Sequence, residues 1–366
     1  MKLNFNLSSC VRASAVHSTC QKCVDICPAA TIKIENNIPA FTPDDCILCG
    51  GCVGICPTNS FSLDNFNIIE FAFNYFENND VLSCYQNTPC LAALSPEFLI
   101  SLALGSNENV ILDIGHCQIC EIAKNLYPQI KNNIDEANYI LSSFSQRKIE
   151  AKELKLLSTI DEKEESKTSR RDFFSNLKPT NLIKTKIAFE EKIDGNEAKK
   201  FEFDESIIKQ IRTKTIPELR KLFFTLLKNQ NKPDVYETID GDEISFSSQK
   251  YIDSKCTNCQ MCYRICPTEA LSSDKNFSII NFNSILCIKC HLCHDVCSYD
   301  AIHIQKAFDI KEFFEPTKKA LAHFDIKRCF ECNNNFTYFG GEVICPRCAT
   351  EEEEAISLHK IKNKDF

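Results

Sequence analysis

"CTNCQMCYRICP", residues 256–267, places four cysteines at the spacing C-x2-C-x2-C-x3-C and ends on proline. The same run returns as "CIKCHLCHDVCS" at 287–298 and as "CILCGGCVGICP" at 46–57. A fourth copy, "HSTCQKCVDICP" at 17–28, has histidine where the first cysteine belongs. Four runs in two pairs, one pair near each end, make an internal repeat. Thiols at i, i+3 and i+6 let a tight loop wrap one metal centre from three sides.

The whole chain is consistent with that reading. Of its 366 residues 24 are cysteines, and most stand in C-x2-C steps, the spacing of metal ligands rather than of bridges. Disulfide scaffolds of this density are usually short. Clustered thiolates need a reducing compartment, so a cytoplasmic location is expected. A hydrophobic content of 43% supports two or three domains with real cores. Tryptophan is absent and glycine scarce, which excludes collagen-like and Gly-rich disordered classes. The net charge of −8 comes without a basic stripe and argues against nucleic-acid binding. A mildly acidic carrier suits docking on the basic patch of a redox partner.

No membrane span is expected: the longest apolar stretch, "CLAALSPEFLISLALG" at 90–105, is short of the ~20 residues required and carries Pro96 and Glu97. The N-terminus lacks the apolar core of an export signal. "TSRRDFFSNL" at 168–177 looks like a twin-arginine motif, but it lies mid-chain and a polar segment follows, so it is read as coincidental or as a partner-facing basic patch.

The paired runs resemble two-cluster [4Fe–4S] ferredoxin domains, in which the cysteine before the proline ligates the other cluster of the pair. In the second unit that implies one cluster on Cys256, Cys259, Cys262 and Cys297 and another on Cys287, Cys290, Cys293 and Cys266. Ser298 stands where proline is usual, but proline supplies no ligand. In the first unit, Cys46, Cys49, Cys52 and Cys27 imply one cluster. The other has Cys20, Cys23 and Cys56 and lacks one ligand. His17 would follow the Rieske precedent, and an incomplete three-iron or labile site is a third option. Cys10, otherwise an orphan across an easily closed loop, is preferred. Gly50, Gly51 and Gly54 are read as giving backbone room beside the cluster, not as a nucleotide fingerprint. His291 and His294 either tune a cluster or are plain loop histidines.

Two further quartets remain. "CFECNNNFTYFGGEVICPRC" at 329–348 gives C-x2-C-x12-C-x2-C. Its Cys329, Cys332, Cys345 and Cys348 resemble a zinc ribbon, with a rubredoxin-like iron as the alternative. Cys84, Cys90, Cys117 and Cys120 lie at the ends of expected strands, "DVLSC" and "NVILDIG", with Leu91, Leu94, Phe98 and Leu102 tracing a helix face between them. This weakly resembles small cysteine-rich relay subunits of hydrogenase and heterodisulfide reductase complexes. A [2Fe–2S] or other metal centre, a redox disulfide and buried thiols all stay open.

The expected fold class is α+β, in five segments. Residues 1–68 are a ferredoxin-like unit and 69–145 a small α/β domain. Residues 146–247 are a charged, largely helical linker, 248–310 the second ferredoxin-like unit, and 311–366 the ribbon and a final helix. Within the linker, Thr215 and Glu218 fit a capping box for an amphipathic helix whose Leu219, Leu222, Phe223, Leu226 and Leu227 pack on a core. "EEEEAISLHKIKNK" is expected as a surface helix with its acids in the first turn. Polyferredoxins of this kind accompany formate dehydrogenases, other molybdoenzymes and hydrogenase-type complexes. The resemblance therefore implies single-electron relay to such a partner, without substrate chemistry of its own. A maturation factor for a metalloenzyme and a redox sensor using a labile cluster are the alternatives.

Overall fold

The computed structural model describes residues 2–156 and 213–359. The motif at 168–177 lies outside them. In the first repeat unit, β1 (Leu3–Phe5) leads through α1 (Val11–Ser14) and α2 (Lys22–Ile26) to a hairpin of β2 (Ile32–Glu35) and β3 (Ile38–Phe41). Asn36 and Asn37, both at positive φ, make its two-residue turn, the conformation that lets strands keep their native twist. After α3 (Gly51–Ile55), β4 (Phe61–Leu63) returns antiparallel to β1.

The middle unit begins with α4 (Ile68–Asn78), whose N-cap Asn67 accepts from the amides of Ile69 and Glu70 at 3.0 and 3.1 Å. Ser95 caps α5 (Pro96–Gly105) in the same way, accepting from Phe98 N at 3.2 Å. Every residue of α5 from Pro96 to Leu104 is buried, so it is a core helix and not the one-faced helix expected. β5 (Val110–Asp113) is followed by α6 (Ala123–Ser142) and by β6 (Ile149–Lys152), which pairs parallel to β5; Leu82 makes a single parallel bridge on β5's other side. The unit thus runs beyond residue 145, and its small parallel sheet directs the chain toward one edge at Cys84 and Cys117.

α7 (Glu218–Lys228) packs on α5, with Leu219, Phe223 and Leu227 buried and Leu222 and Leu226 half-buried against the same core. The expected capping box does not form. Pro217 occupies the N-cap, and the Thr215 amide is engaged with the Pro267 carbonyl at 2.9 Å, which draws this residue out of the cap.

β7 (Thr238–Asp240) precedes the second repeat unit. There β8 (Lys250–Ile252), α8 (Met261–Ile265), β9 (Leu271–Ser273), β10 (Ile279–Asn283), α9 (Leu292–Asp295) and β11 (Ile302–Ile304) repeat the order of the first. β8 pairs with β11 and β9 with β10, as β1 pairs with β4 and β2 with β3. β12 (Ala307–Asp309) pairs back to β7, and α10 (Lys311–Phe314) follows. β13 (Lys318–His323) adds a third strand to β10 and leads into a hairpin of β14 (Asp325–Arg328) and β15 (Asn335–Tyr338). The final helix, α11, runs Pro346–His359. Glu351–Glu354 lie in its middle rather than in its first turn, because the helix starts at the proline beside the ribbon cysteines.

One hydrophobic core spans the first repeat unit, the middle unit, α7 and the flank formed by Ile239, Phe308 and Phe313. The second repeat unit has its own smaller core around Leu271, Ile280, Phe282 and Ile302. Arg220 on α7 sits between them with 1% of its surface exposed. Its guanidinium is paired with Glu97 on α5 and donates to the carbonyls of Ile285, Cys287 and Phe246 at 2.7, 2.7 and 2.6 Å. A buried guanidinium with its donors satisfied is the arrangement under which such a charge is tolerated.

Candidate metal centres

The two repeat units carry sixteen cysteines, which the spacing assigns to four groups. Cys10 is the residue where a short 3-10 turn (Leu7–Ser9) hands over to α1, and it is buried. Burial pushes its thiol up to about 11, with the neighbouring Cys56 and Cys20 adding to the effect. Burial and the charges of Cys56, Cys20 and Cys10 push Cys23 up to about 12. Cys10 is thus a buried thiol that feels Cys20 and Cys56, while His17 is exposed. In the second group, burial raises Cys52, helped by Cys49, Cys46, Cys23 and Cys27. In the third, burial raises Cys256 beside Cys259 and Cys297, and Cys262 to about 12. In the fourth, burial takes Cys293 to about 12 and raises Cys290, next to Cys287 and Cys266. Buried thiols near other thiols are poor acids without a cation to neutralise them, and a bound metal would supply that charge.

The backbone shows why the first run differs. In the three regular runs the residue before the second cysteine (Leu48, Asn258, Lys289) and the residue after it (Gly50, Gln260, His291) all take positive φ. These left-handed turns fold the peptide around a centre. The equivalent Gln21 has φ −137°, and Thr19 is not among the positive-φ residues. Arg12 holds the longer loop instead: its guanidinium is bonded to the Cys20 carbonyl and donates to Asn37 Oδ1 at 2.6 Å. Asn37 in turn donates to the carbonyls of Arg12 and Ala15 at 3.0 and 3.2 Å.

The turn after the last cysteine is the same in all four runs. Ala30, Asn59, Glu269 and Asp300, each three residues on, have positive φ. Asp300 keeps this geometry although Ser298 replaces proline. Amides of Ser60, Leu271 and Ala301 donate to the sulfurs of Cys56, Cys266 and Cys297 at 3.3, 3.5 and 3.2 Å, and such bonds tune cluster potentials. His294 faces Lys250 Nζ at 2.9 Å; burial and that lysine push its imidazole down to about 3, keeping it neutral.

The middle cysteines also influence one another. Burial raises Cys84, with Cys120 beside it, and takes Cys117 to about 11, with Cys84 and Cys120 beside it. Cys90 is driven up to about 12 by burial, with Cys49 of the first repeat unit, Cys84 and Cys117 as charged neighbours. Asp113 anchors the loops: it accepts from the amides of Gly115 (2.9 Å), Leu154 (3.1 Å), Lys155 (3.1 Å) and Leu156 (2.9 Å).

At the C-terminus, the sulfurs of Cys329, Cys332, Cys345 and Cys348 all lie within 4.8 Å of one another. Among the described residues no other group of three or more Cys, His, Asp or Glu side chains is drawn that tightly. A tetrahedral zinc with bonds of about 2.3 Å fits this compact set. The Cys345 amide donates to Cys329 Sγ at 3.2 Å.

Residues 255–302 match the family model of the 4Fe-4S dicluster domain, and residues 39–62 that of the 4Fe-4S binding domain. No curated protein matches the chain. Two ferredoxin-type domains thus lie in a fold of mixed helices and strands, and they indicate an iron–sulfur electron-transfer role. The irregular run at 10–28 falls outside both matched segments. Among the described residues no helix is long and apolar enough to cross a membrane.

Sequence reading alone passed over the residues that hold the sites in place. The Arg12–Asn37 clamp left no signal, since neither residue belongs to a motif. The left-handed positions left a partial one, in Gly50 and Asn258, residue types that tolerate positive φ.

Proposed function

We propose that the chain is a polyferredoxin-like electron relay with four [4Fe–4S] clusters, built as two units with a zinc-ribbon-like module at the C-terminus. The clusters would sit on Cys10/Cys20/Cys23/Cys56, Cys27/Cys46/Cys49/Cys52, Cys256/Cys259/Cys262/Cys297 and Cys266/Cys287/Cys290/Cys293, and zinc on Cys329/Cys332/Cys345/Cys348. The observation that carries the reading is the pair of 4Fe-4S-type segments, at 39–62 and 255–302, on two units of the same strand–helix order. A bound cluster supplies reversible one-electron chemistry. The chain's part is to fix the ligands, aim amides at sulfur and exclude water.

Both units belong to one interlocked body. The Thr19 amide and hydroxyl donate to Asp295 at 3.2 and 3.1 Å, joining the Cys20 loop to the helix that carries Cys293. That supports passage of electrons from one unit to the other. The partner is a redox protein of an anaerobic oxidoreductase, such as a formate dehydrogenase or another molybdoenzyme, and the reducing demand of the thiolates puts the protein in the cytosol.

The test is a reductive titration of anaerobically purified protein followed by electron paramagnetic resonance, with iron, sulfide and zinc counted. Reversible couples near roughly −400 mV are expected, with about one zinc that Cys345→Ser removes while iron stays unchanged. Clusters that cannot be reduced and reoxidised overturn the relay and leave a maturation role.

A further inference from the structure

We propose that Cys84, Cys90, Cys117 and Cys120 hold a fifth redox centre, a polynuclear iron–sulfur cluster set directly against the Cys27/Cys46/Cys49/Cys52 site. The proposal extends the relay reading above.

Topology brings three of the four thiols to one place. Cys84 follows the Leu82 bridge, and Cys117 and Cys120 follow β5, so three of them stand at one edge of the same parallel sheet. The rings of Tyr85 and His116, each next to one of these cysteines, lie 4.1 Å apart. Cys90 stands at the start of the Leu91–Ala93 turn that leads into α5, six residues after Cys84. The thiols range from buried Cys117 to exposed Cys120, and none is in a disulfide.

The spacing selects the kind of metal. A single tetrahedral zinc needs sulfurs within about 4 Å of one another, as in the ribbon quartet. The middle quartet is wider than that, like the four ferredoxin quartets, and wider spacing suits a cluster whose irons share the distance. Thr88, between Cys84 and Cys90, is buried, and its hydroxyl has no hydrogen-bond partner in the protein. A cluster sulfide is an acceptor such a hydroxyl can use.

The placement links this centre to its neighbour. The segment around Cys90 packs on the one that carries Cys49: a β-carbon added to Gly50 would sit 2.9 Å from Ala93 Cβ and 3.8 Å from Pro89 Cβ. On the other side Ile119 is 80% and Tyr85 47% exposed. The site therefore faces solvent at Cys120 and the first repeat unit at Cys90, as a port for electrons does. One electron leaving one centre reduces the other by one, with no bond made or broken.

The experiment uses full-length holoprotein purified anaerobically. Iodoacetamide is added before and after iron chelation, and each cysteine is mapped by mass spectrometry. Cys120 is expected to stay unmodified, despite its exposure, until iron is removed, together with Cys84, Cys90 and Cys117. The double variant Cys84→Ser/Cys120→Ser is expected to lose about two to four irons and as many sulfides, and to lose the spin–spin broadening between this centre and its neighbour in the reduced protein. Immediate alkylation of Cys120, protection released only by a thiol reductant, or protection that tracks zinc overturns the proposal. Absence of broadening in the wild type overturns the adjacency. If the variant does not fold, the wild-type protection pattern decides alone. Failure of the relay itself reads differently, because the sixteen ferredoxin cysteines would then be alkylated as well.

Discussion

Arg220 and Glu97 form an ion pair buried between the two hydrophobic cores, and the same guanidinium donates to the carbonyl of Cys287. Arg220→Ala leaves Glu97 without its partner in a site where its residue is 8% exposed. The expected loss is about 3–5 kcal/mol, read from the guanidinium chloride midpoint of the anaerobic holoprotein. The double variant Arg220→Met/Glu97→Met removes both charges and should recover much of it. A single variant as stable as wild type would show that the pair holds nothing together.

Cys10 and His17 separate cleanly by substitution. Cys10→Ser should lose about one iron, giving a three-iron resonance, or the whole first cluster. His17→Ala should change neither iron content nor spectrum, since that side chain is exposed. The reverse pattern assigns the ligand to the histidine.

Gly54 lies in α3 with no room for a side chain: a β-carbon there would be 2.2 Å from the Ala92 carbonyl oxygen. Gly54→Ala must push the cluster helix away from the 91–93 turn. A loss of about 1–3 kcal/mol is expected. Gly340→Ala, in open space at φ +111°, is strained only in its own turn and should cost less. A larger loss at Gly340 would contradict this ranking.

Burial raises the Glu136 carboxyl to about 7, although Ser245 N and Oγ donate to it at 2.7 and 2.9 Å and Lys289 and Lys22 lie on its positive side. A carboxyl raised in the folded state stabilises the fold below its unfolded value, about 4.3, and the contribution is lost as pH rises through about 7. Stability should therefore fall between about pH 4.5 and 7 through this group. Glu136→Gln keeps an acceptor for Ser245 and removes the charge, so it should flatten the slope. An unchanged slope in unfolding midpoints at pH 5.5 and 8 counts against it.

The cysteine runs could be read because ligand spacing is a local property: three thiols spaced three residues apart reach one centre whatever the rest of the chain does. The joints between units could not. Arg220 sits in an ordinary amphipathic pattern, and nothing local marks it as the residue that reaches Glu97 and Cys287. β6 is a short strand whose pairing with β5 depends on the intervening α6. Helix ends were misplaced for a related reason: the Thr215 amide is taken by a distant carbonyl, and Pro346 starts the last helix before its acids arrive. α5 looked one-faced because its burying surfaces on α4, α6 and α7 come from separate parts of the chain.

The enclosure of α5 also bears on synthesis. When the ribosome has passed Cys120, twelve cysteines, those of the first repeat unit and the middle quartet, are already made. α7, which covers α5 with Leu219, Phe223 and Leu227, is still to come. The nascent chain therefore carries reactive thiols and an uncovered apolar helix at the same time. Early metal loading would fold the surrounding loops before oxygen or a second nascent chain could reach them.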